Sequence, residues 1–429
     1  MSGPKGQAVI AQSGGPTAVI NASVCGIVQE ALRHAGVFTG ILGAHNGILG
    51  VLNEDLFDLA RETPEAVQGL RRTPAAALGS CRYKLKDLEA DRRDYERILD
   101  VFRAHDIRFF FYIGGNDSMD TADKVSRLAR DTGYELVVIG VPKTVDNDLA
   151  ETDHCPGYGS VAKYLATAVM EAGCDNEALY TTNTCTIIET MGRHAGWIAA
   201  ATGLARHDPQ DAPHLVYVPE IPFTFERFVA DVRACLDEFG RCVVAAGEGL
   251  VDEAGEYITA DAGQFAKDSF GHMQLGGVGE LLRAVVEKEV GVQARSNKLG
   301  TCQRSAMHFA SATDVDEAYA AGRAATQRAA EGVTDKMITL VREGSGPDDY
   351  ACTTGTADLR TVANGEKLLP RSFMNAAGNH VTAALRDYVT PLMRGQADVD
   401  VGPDGLPRYV RLVCHTVARK TGRAYSTER

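Results

Sequence analysis

The chain has 429 residues, 45% of them hydrophobic and 24% charged, with a formal net charge of −13. This composition is typical of a globular protein of two or three domains, and the negative charge argues against a nucleic-acid-binding surface. No apolar run approaches the roughly 18–20 residues that cross a bilayer, and no signal-peptide pattern precedes the first predicted strand. We therefore predict a cytoplasmic protein that binds neither nucleic acid nor membrane. Its ten cysteines form no Cys-x-x-Cys pair, which indicates reduced thiols rather than structural zinc.

Predicted strands and helices alternate along most of the chain. A short apolar strand at 8–11 is followed by a glycine turn and a helix at 18–34, and this order recurs. The later predicted elements are strands at 109–113, 136–141, 184–189, 215–218 and 241–246, a strand end at 297–302, and helices at 118–130, 225–239 and 314–332. The alternation predicts an α/β fold with two Rossmann-like domains and mostly parallel sheets.

Three segments make up the predicted domain organisation. Residues 1–160 form a first domain and residues 161–302 a second, while residues 303–429 return to the first domain and continue into a C-terminal extension. The stretch from 343 to 371 is rich in Gly, Asp and Thr and is predicted to form loops. The remaining C-terminal residues mix apolar and basic positions and predict no regular element.

The most informative stretch is 142–148, Pro-Lys-Thr-Val-Asp-Asn-Asp, which directly follows a predicted buried strand. Lys143 is a compact cation suited to a terminal phosphate. Asp146 could accept the proton of an attacking hydroxyl, as positioned aspartates do in phosphoryl transfer, and Asp148 is a second carboxylate. The alternative is a solvated Asx-rich turn, but such a turn needs no lysine and two aspartates after a buried strand.

A second loop, 114–118 (Gly-Gly-Asn-Asp-Ser), follows the preceding predicted strand. Loops at the carboxyl ends of parallel strands face one crevice, where open α/β sheets bind ligands. Asn116 offers a neutral oxygen to a magnesium ion or its waters, and Asp117 places a negative charge near the expected phosphate. Helix capping alone is the plain alternative for these residue types.

The first loop, 13–17, has two adjacent glycines between a strand and a helix. Gly14 and Gly15 would let backbone N–H groups approach phosphate oxygens at a helix N-terminus, although a plain tight turn explains the same pattern. The loop is neither GxxxxGK[ST] nor GxGxxG, which disfavours a Walker-type ATPase and a nicotinamide-binding enzyme.

Further polar residues follow later strands. Arg193, in Met191-Gly192-Arg193, could hold a transferring phosphoryl group, with a surface ion pair as the alternative. Glu248 lies between two glycines, which suggests close backbone approach to a ligand. Arg295 and Arg304 flank the last predicted strand and would suit bidentate capture of a sugar phosphate, although either alone could be a surface cation.

Taken in order, these loops resemble the phosphofructokinase family. The resemblance covers roughly residues 8–330, and eight motifs occur in fixed order. They are Ser13–Gly15, Leu78–Arg82, Gly114–Ser118, Pro142–Asp148, Pro156–Gly159, Met191–Arg193, Gly247–Gly249 and Gln303–Arg304.

The resemblance implies that the enzyme phosphorylates fructose 6-phosphate at its 1-hydroxyl with magnesium. By motif match, Asp146 would take the hydroxyl proton, Thr144 would lie beside it, and Asp148 would be a supporting carboxylate. Arg193 would lie near the moving phosphoryl group and, with Met191 and Gly192, line the sugar phosphate site.

The other implied contacts lie at the two ends of the substrates. Glu248 would bind sugar hydroxyls, Arg295 and Arg304 would hold the 6-phosphate, and Thr301 would lie beside them. At the opposite end, Gly14, Gly15, Arg82 and Lys143 would contact the phosphoryl donor. The resemblance also implies a homodimer or homotetramer.

The donor is predicted from Asp117 and Lys143 together. ATP-using bacterial members of the family typically have glycine at both positions, whereas members that use pyrophosphate typically have aspartate and lysine. Asp117 would place charge and bulk where the α-phosphate of ATP must pass, and two like charges ~4 Å apart repel by about 4 kcal/mol at an effective dielectric near 20. We therefore expect a reversible, pyrophosphate-dependent enzyme.

Three departures from the family pattern accompany this expectation. Asn116 replaces the usual aspartate, so magnesium would be bound there through a weaker neutral oxygen. Thr301 stands where many ATP enzymes have histidine, and Thr184 where they have an arginine that reaches a neighbouring subunit. The alternatives are an ATP-dependent phosphofructokinase and a non-catalytic regulatory subunit, against which the intact Asp146, Asp148 and Arg193 speak.

Overall fold

The computed structural model of the protein describes residues 4–260, 277–344, 346–422 and 425–426. Its strands are β1 (Gly6–Gln12), β2 (Phe38–Ala44), β3 (Leu56–Asp58), β4 (Ile107–Gly114), β5 (Val137–Pro142), β6 (Cys185–Thr190), β7 (Leu215–Tyr217), β8 (Cys242–Gly247), β9 (Ala294–Lys298), β10 (Lys336–Glu343) and β11 (Ala351–Asp358). Its α-helices are α1 (Ile20–Arg33), α2 (Ile48–Leu52), α3 (Pro64–Gly69), α4 (Arg93–Ala104), α5 (Asn116–Asp131), α6 (Tyr158–Leu179), α7 (Trp197–Ala201), α8 (Phe225–Phe239), α9 (Val278–Val285), α10 (Cys302–Ser305), α11 (Ala312–Ala330), α12 (Leu359–Ala363) and α13 (Ala383–Val389).

The larger sheet has seven strands in the order β11-β10-β5-β4-β1-β2-β3. Its inner neighbours run parallel, whereas the edge strands β3 and β11 run antiparallel to β2 and β10. Phe109, Phe110 and Phe111 of the central strand β4 are fully buried. A parallel sheet is covered on both faces, so its strands are continuous apolar runs. For this reason the runs at 109–113 and 136–141 predicted β4 and β5 closely.

The smaller sheet has four parallel strands in the order β7-β8-β6-β9. Strands β6 and β8 are buried along their whole length. Strand β9, at one edge, is polar and largely exposed. The α/β fold with mostly parallel sheets is thus as predicted.

After the smaller sheet, helix α11 packs on α1 of the larger sheet through two glycines. A Cβ on Gly26 would lie 2.3 Å from the Tyr319 carbonyl oxygen, and one on Gly322 would lie 2.1 Å from the Ser23 carbonyl oxygen. Only glycine allows the two helices this close an approach. Strands β10 and β11 then complete the larger sheet. The domain bounds at 160 and 302 stay a prediction, and α6 begins at Tyr158, just before the first of them.

The prediction of loops over 343–371 is wrong for much of that stretch. Strand β11 and helix α12 both lie within it, and β11 pairs with β10 along its full length. An edge strand with threonines exposed on both faces has neither an apolar run nor an alternating pattern. The strands β2, β3 and β10 were also absent from the predicted elements.

The C-terminal segment 408–421, here called the C-terminal strap, pairs with the edge strand β3, where the Val417 N–H donates to the Leu56 carbonyl oxygen at 2.9 Å. The N–H of Cys414 donates to Glu62 at 2.8 Å, and the N–H of Thr421 donates to Glu54 at 3.2 Å. Both carboxylates belong to the first sixty-two residues and are buried. At these two residues of the strap, side-chain oxygens therefore accept the backbone N–H groups. Among the helices described, none combines the length and apolarity needed to cross a membrane.

Candidate active site

The carboxyl ends of strands from both sheets meet around one cleft of about 490 Å³. All but two of the predicted site residues line it. They lie in loops or in the first turns of helices α5 and α10. They are Gly14, Gly15, Arg82, Asn116, Asp117, Lys143, Thr144, Asp146, Asp148, Met191, Gly192, Arg193, Glu248 and Arg304. The topology therefore gathers residues that are separated by up to 290 positions, from Gly14 to Arg304.

Three cationic side chains converge on the turn after β1. The Lys143 ammonium donates a hydrogen bond of 2.8 Å to the Gly15 carbonyl oxygen. A Cβ on Gly15 would lie 2.8 Å from an Arg304 guanidinium nitrogen and 4.0 Å from one of Arg82. Gly14 has a φ of 76°, a conformation that favours glycine. The absence of side chains at this turn is what lets the cations approach it.

The Gly14 N–H is already paired within the chain, so among the N–H groups of this loop it is not the one available to a phosphate; that the loop binds the donor stays a prediction. It donates to the Cys81 carbonyl oxygen at 3.0 Å, because the turn packs against the loop that precedes Arg82. The contribution of Gly14 is therefore space beside the Lys143 ammonium, which would lie 3.2 Å from a Cβ at that position.

Lys143 is only 3% exposed. Burial lowers its pKa to about 8, and Arg304 and Arg82 act in the same direction, while Asp146 and Asp148 oppose them. A bound polyanion would reverse this repulsion among like charges. The site is thus built to receive negative charge.

Asp146 and Asp148 lie on the loop after β5 that also carries Lys143. Burial raises the pKa of Asp146 to about 7, with Asp148 and Glu248 adding to the rise. Burial also raises the pKa of Asp148. Carboxylates this close, with little access to water, cannot all ionise easily. Asp146 is consequently suited to taking up a proton near neutral pH.

The backbone between these two aspartates is held by Asn147, for which the sequence pattern predicted no role. Asn147 has a φ of 55°, and its side chain accepts a hydrogen bond of 2.9 Å from the Cys155 N–H and donates to the Tyr388 hydroxyl at 3.2 Å. Asn tolerates this left-handed conformation better than most residues. Its place between two aspartates on a strand-end loop was the available signal.

Glu248 follows β8, and its N–H donates to the Thr190 carbonyl oxygen at 2.9 Å. Burial raises its pKa to about 7, and Glu189 adds to the rise. A Cβ on Gly249 would lie 1.8 Å from the Arg193 carbonyl oxygen. The glycine after Glu248 is therefore explained by close packing between two chain segments and not by direct approach to a ligand.

Two buried oxygens in the cleft are suited to magnesium. Asn116 Oδ1 and Asp148 Oδ1 are both inaccessible to water and have no hydrogen-bond partner within the described chain. Buried polar atoms are nearly always paired, so such exceptions call for a ligand. Oxygen is the donor that Mg²⁺ prefers. The residues present therefore fit the predicted metal, with Asn116 as a neutral ligand.

Arg295 and Thr301, predicted as substrate-binding residues, do not line the cleft of this chain. Arg295 is exposed on the edge strand β9, opposite Thr186 of β6. Thr301 is exposed at the start of α10, one turn before Arg304. Sequence position placed them near the right strand but gave no information about which side of an edge strand faces the site.

Other residues of the cleft were not predicted at all. The cleft wall includes residues 363–366, which begin with the last residue of α12. The Lys367 N–H donates to the Asp148 carbonyl oxygen at 2.8 Å and fixes this segment against the 142–148 loop. Lys84 forms an ion pair of 3.2 Å with Asp117. Both contacts join distant parts of the chain, and no local pattern indicates them.

Comparison with known proteins agrees with this geometry. The family model described as phosphofructokinase matches residues 7–328. A pyrophosphate–fructose 6-phosphate 1-phosphotransferase of Xanthomonas campestris pv. campestris (strain B100) is 49% identical and covers 97% of this chain and 98% of its own. A protein of the same name from Halomonas elongata is 48% identical over 96% of this chain and 97% of its own.

A solved structure gives the same picture at the level of the fold. The crystal structure of a pyrophosphate-dependent phosphofructokinase from Marinobacter aquaeolei superposes with a TM-score of 0.87 at 44% identity, covering 97% of this chain and 98% of that one. Family model, relatives and structure all span most of the chain. The chain therefore belongs to the phosphofructokinase family.

Proposed function

We propose that this protein transfers a phosphoryl group from pyrophosphate to the 1-hydroxyl of fructose 6-phosphate, giving fructose 1,6-bisphosphate and inorganic phosphate. The observation that carries the proposal is the buried Lys143 ammonium, which meets Arg82 and Arg304 at the Gly14–Gly15 turn. Three cations around one small turn suit a compact polyanion. The reaction is reversible and belongs to glycolysis and gluconeogenesis.

Asp146 acts as the general base. Its ionised carboxylate removes the proton from the 1-hydroxyl as the hydroxyl oxygen attacks the nearer phosphorus, and the phosphorus–oxygen bond to the leaving phosphate breaks. A base with a pKa near the working pH combines a sufficient ionised fraction with a sufficient driving force. The pKa of about 7 supports this role.

The cationic side chains stabilise the negative charge that moves during phosphoryl transfer. Lys143 and Arg82 hold the donor and the phosphate that leaves, and Arg193 holds the phosphoryl group in transit. Thr144 orders the loop, since its hydroxyl accepts a hydrogen bond of 3.1 Å from the Asp146 N–H. Met191, Gly192 and Glu248 form the sugar side of the cleft.

Magnesium would be held by Asn116 and Asp148, whose unpaired oxygens support the assignment. When bound, the ion would neutralise part of the donor's negative charge. One neutral and one anionic ligand leave most of its coordination sphere to water and substrate oxygens, as magnesium prefers.

The 6-phosphate end of the sugar is completed by a second copy of the chain in a homodimer or homotetramer. Arg304, predicted at this end, lies instead beside the Gly14–Gly15 turn, and Arg295 is exposed on the edge strand β9. An edge strand is the part of a sheet that most readily meets another chain. A fully active monomer, identified by light scattering at assay concentration, would contradict this part of the proposal.

We place the enzyme in the cytoplasm. All ten cysteines are free thiols, which suits a reducing compartment. Fractionation of the native cells with antibody detection would test the placement, and enrichment in a secreted or membrane fraction would refute it.

The donor is tested by steady-state assays with pyrophosphate and ATP at equal concentration. We expect turnover with pyrophosphate and little with ATP. The double substitution Asp117→Gly with Lys143→Gly should weaken pyrophosphate use and admit ATP. Strong ATP activity of the wild type without pyrophosphate activity would sink the proposal. Turnover of neither donor until a partner chain is added would favour a regulatory subunit.

A further inference from the structure

An ion pair lies beside the cleft at Asp117, one of the residues that line it. Lys84 Nζ lies 3.2 Å from Asp117 Oδ1, and the two side chains are 49% and 27% exposed. Lys84 belongs to the loop that follows Arg82, while Asp117 lies in the first turn of α5. The pair thus joins the loop after Arg82 to α5, and Arg82 and Asp117 both line the cleft.

The charge of Asp117 alone cannot explain a preference for pyrophosphate. A bare carboxylate repels every phosphate-bearing donor, and pyrophosphate carries several negative charges in a small volume. Lys84 offsets this charge at close range. What remains at the cleft mouth is a neutral pair whose main effect on a donor is the space it occupies.

The loop that carries Lys84 is tied to α5 a second time. Lys124, two helical turns after Asp117, lies 3.1 Å from Asp87 Oδ1 and 2.8 Å from Asp120 Oδ2. Asp87 lies three residues after Lys84 on the same loop. The second contact keeps the loop against the helix, so the Lys84 ammonium has a short reach to Asp117.

We propose that Lys84 is a positioning residue that determines donor specificity through Asp117. It neutralises the Asp117 carboxylate and holds it across the cleft mouth. A donor of two phosphates then fits without electrostatic penalty, whereas a donor that continues beyond its second phosphate meets the pair. This inference rests on the proposed use of pyrophosphate.

The test is a double-mutant cycle on Lys84 and Asp117 in the full-length enzyme. Lys84→Met leaves Asp117 unpaired and should raise KM for pyrophosphate about tenfold, with KM for fructose 6-phosphate and kcat nearly unchanged. Lys84→Met combined with Asp117→Asn should return KM for pyrophosphate to within about threefold of Asp117→Asn alone, because no charge is left to offset. Lys84→Arg should retain the wild-type value.

Lys86→Met is the matched control. Lys86 lies on the same loop and pairs with Asp91 at 3.5 Å instead of with Asp117, so its loss should leave KM for pyrophosphate unchanged. Exposed ion pairs contribute little to folding, so thermal melting should find all these variants folded.

Two results would overturn the inference. Lys84→Met with the KM of Lys86→Met would show that the pair does not influence donor binding. A double variant as impaired as Lys84→Met would show that Lys84 contacts the donor directly and not through Asp117. Failure of the proposed function looks different, since the wild-type enzyme would then show no turnover with pyrophosphate.

Discussion

The buried carboxylates of two regions of this molecule, the cleft and the C-terminal strap, have pKa values shifted in opposite directions. In the cleft, burial raises the pKa of Asp146 and of Glu248 to about 7. At the C-terminal strap, burial of Glu54 acts in the same direction, but hydrogen bonds from the Lys420 N–H, the Thr421 side chain and His105 lower its pKa to about 2. At Glu54 the hydrogen-bond donors outweigh burial, whereas in the cleft burial and the neighbouring carboxylates prevail.

The opposite pKa shifts distinguish the carboxylates proposed for catalysis from a carboxylate that stabilises the fold. Glu54 is almost fully enclosed, yet its charge is matched by donors from a segment more than 360 residues away. Asp148 keeps an oxygen with no partner. Sites that must exchange protons or bind ions are commonly less stable than the fold around them could make them.

The largest effect is expected for the cleft. Asp146→Asn keeps the shape of the side chain but cannot accept the proton, so kcat should fall by about 10²–10⁴-fold. KM for fructose 6-phosphate should change far less. Steady-state kinetics with saturating magnesium measures this, and a variant within tenfold of wild-type turnover would remove Asp146 from the role of base.

The strap carboxylate should affect stability and not chemistry. Glu54→Ala removes the acceptor for the strap and leaves the neighbouring Arg97 guanidinium, 3.5 Å away, without its anion. Breaking such a buried pair costs about 3–5 kcal/mol of unfolding free energy. Urea denaturation gives the value, with the exposed Glu89→Ala as control. Equal stability of the two variants would mean that the strap is not held by this carboxylate.

The pH dependence of activity should follow the ionisation of Asp146 in the cleft. Because Asp146 must be ionised and its pKa is raised to about 7, log kcat/KM in the direction of fructose 1,6-bisphosphate formation should fall with a slope of one as pH drops below about 7. A profile that stays flat to pH 5 would be inconsistent with a raised pKa. Glu54 contributes its stability above its unfolded pKa of about 4 and loses it only as pH falls towards about 2.

The smallest effect sharpens the comparison most. In the folded state the pKa of Asp146 is higher than in the unfolded chain, so above pH 4 its ionisation opposes folding. Asp146→Asn should therefore raise the unfolding free energy at pH 8 by about 1–2 kcal/mol while activity is lost. Glu54→Gln should lower it at the same pH. Two changes of the same sign would show that both carboxylates serve the fold alike.

Much of the cleft could be predicted because buried parallel strands are apolar runs, and the residues that follow them share one edge of a sheet. Lys143, Asp146 and Glu248 were found in this way. Arg295 does not line the cleft of its own chain, because it lies on an exposed edge strand, and its contact with the 6-phosphate stays a prediction. Lys84 and the wall at 363–366 were missed because their partners are distant in the chain. Contacts between distant residues leave no periodic pattern in the local sequence.

The same wall at 363–366 has a consequence for biosynthesis. The segments around the cleft begin at Gly14 and end at Glu366. Strand β10, which pairs with the free edge of β5, begins only at Lys336, and β11 then pairs with β10. A nascent chain therefore leaves the ribosome with an open strand edge, the kind of surface that invites wrong pairing. Catalytic competence arrives late in translation, and a prematurely terminated chain is an aggregation hazard without being a partly active enzyme.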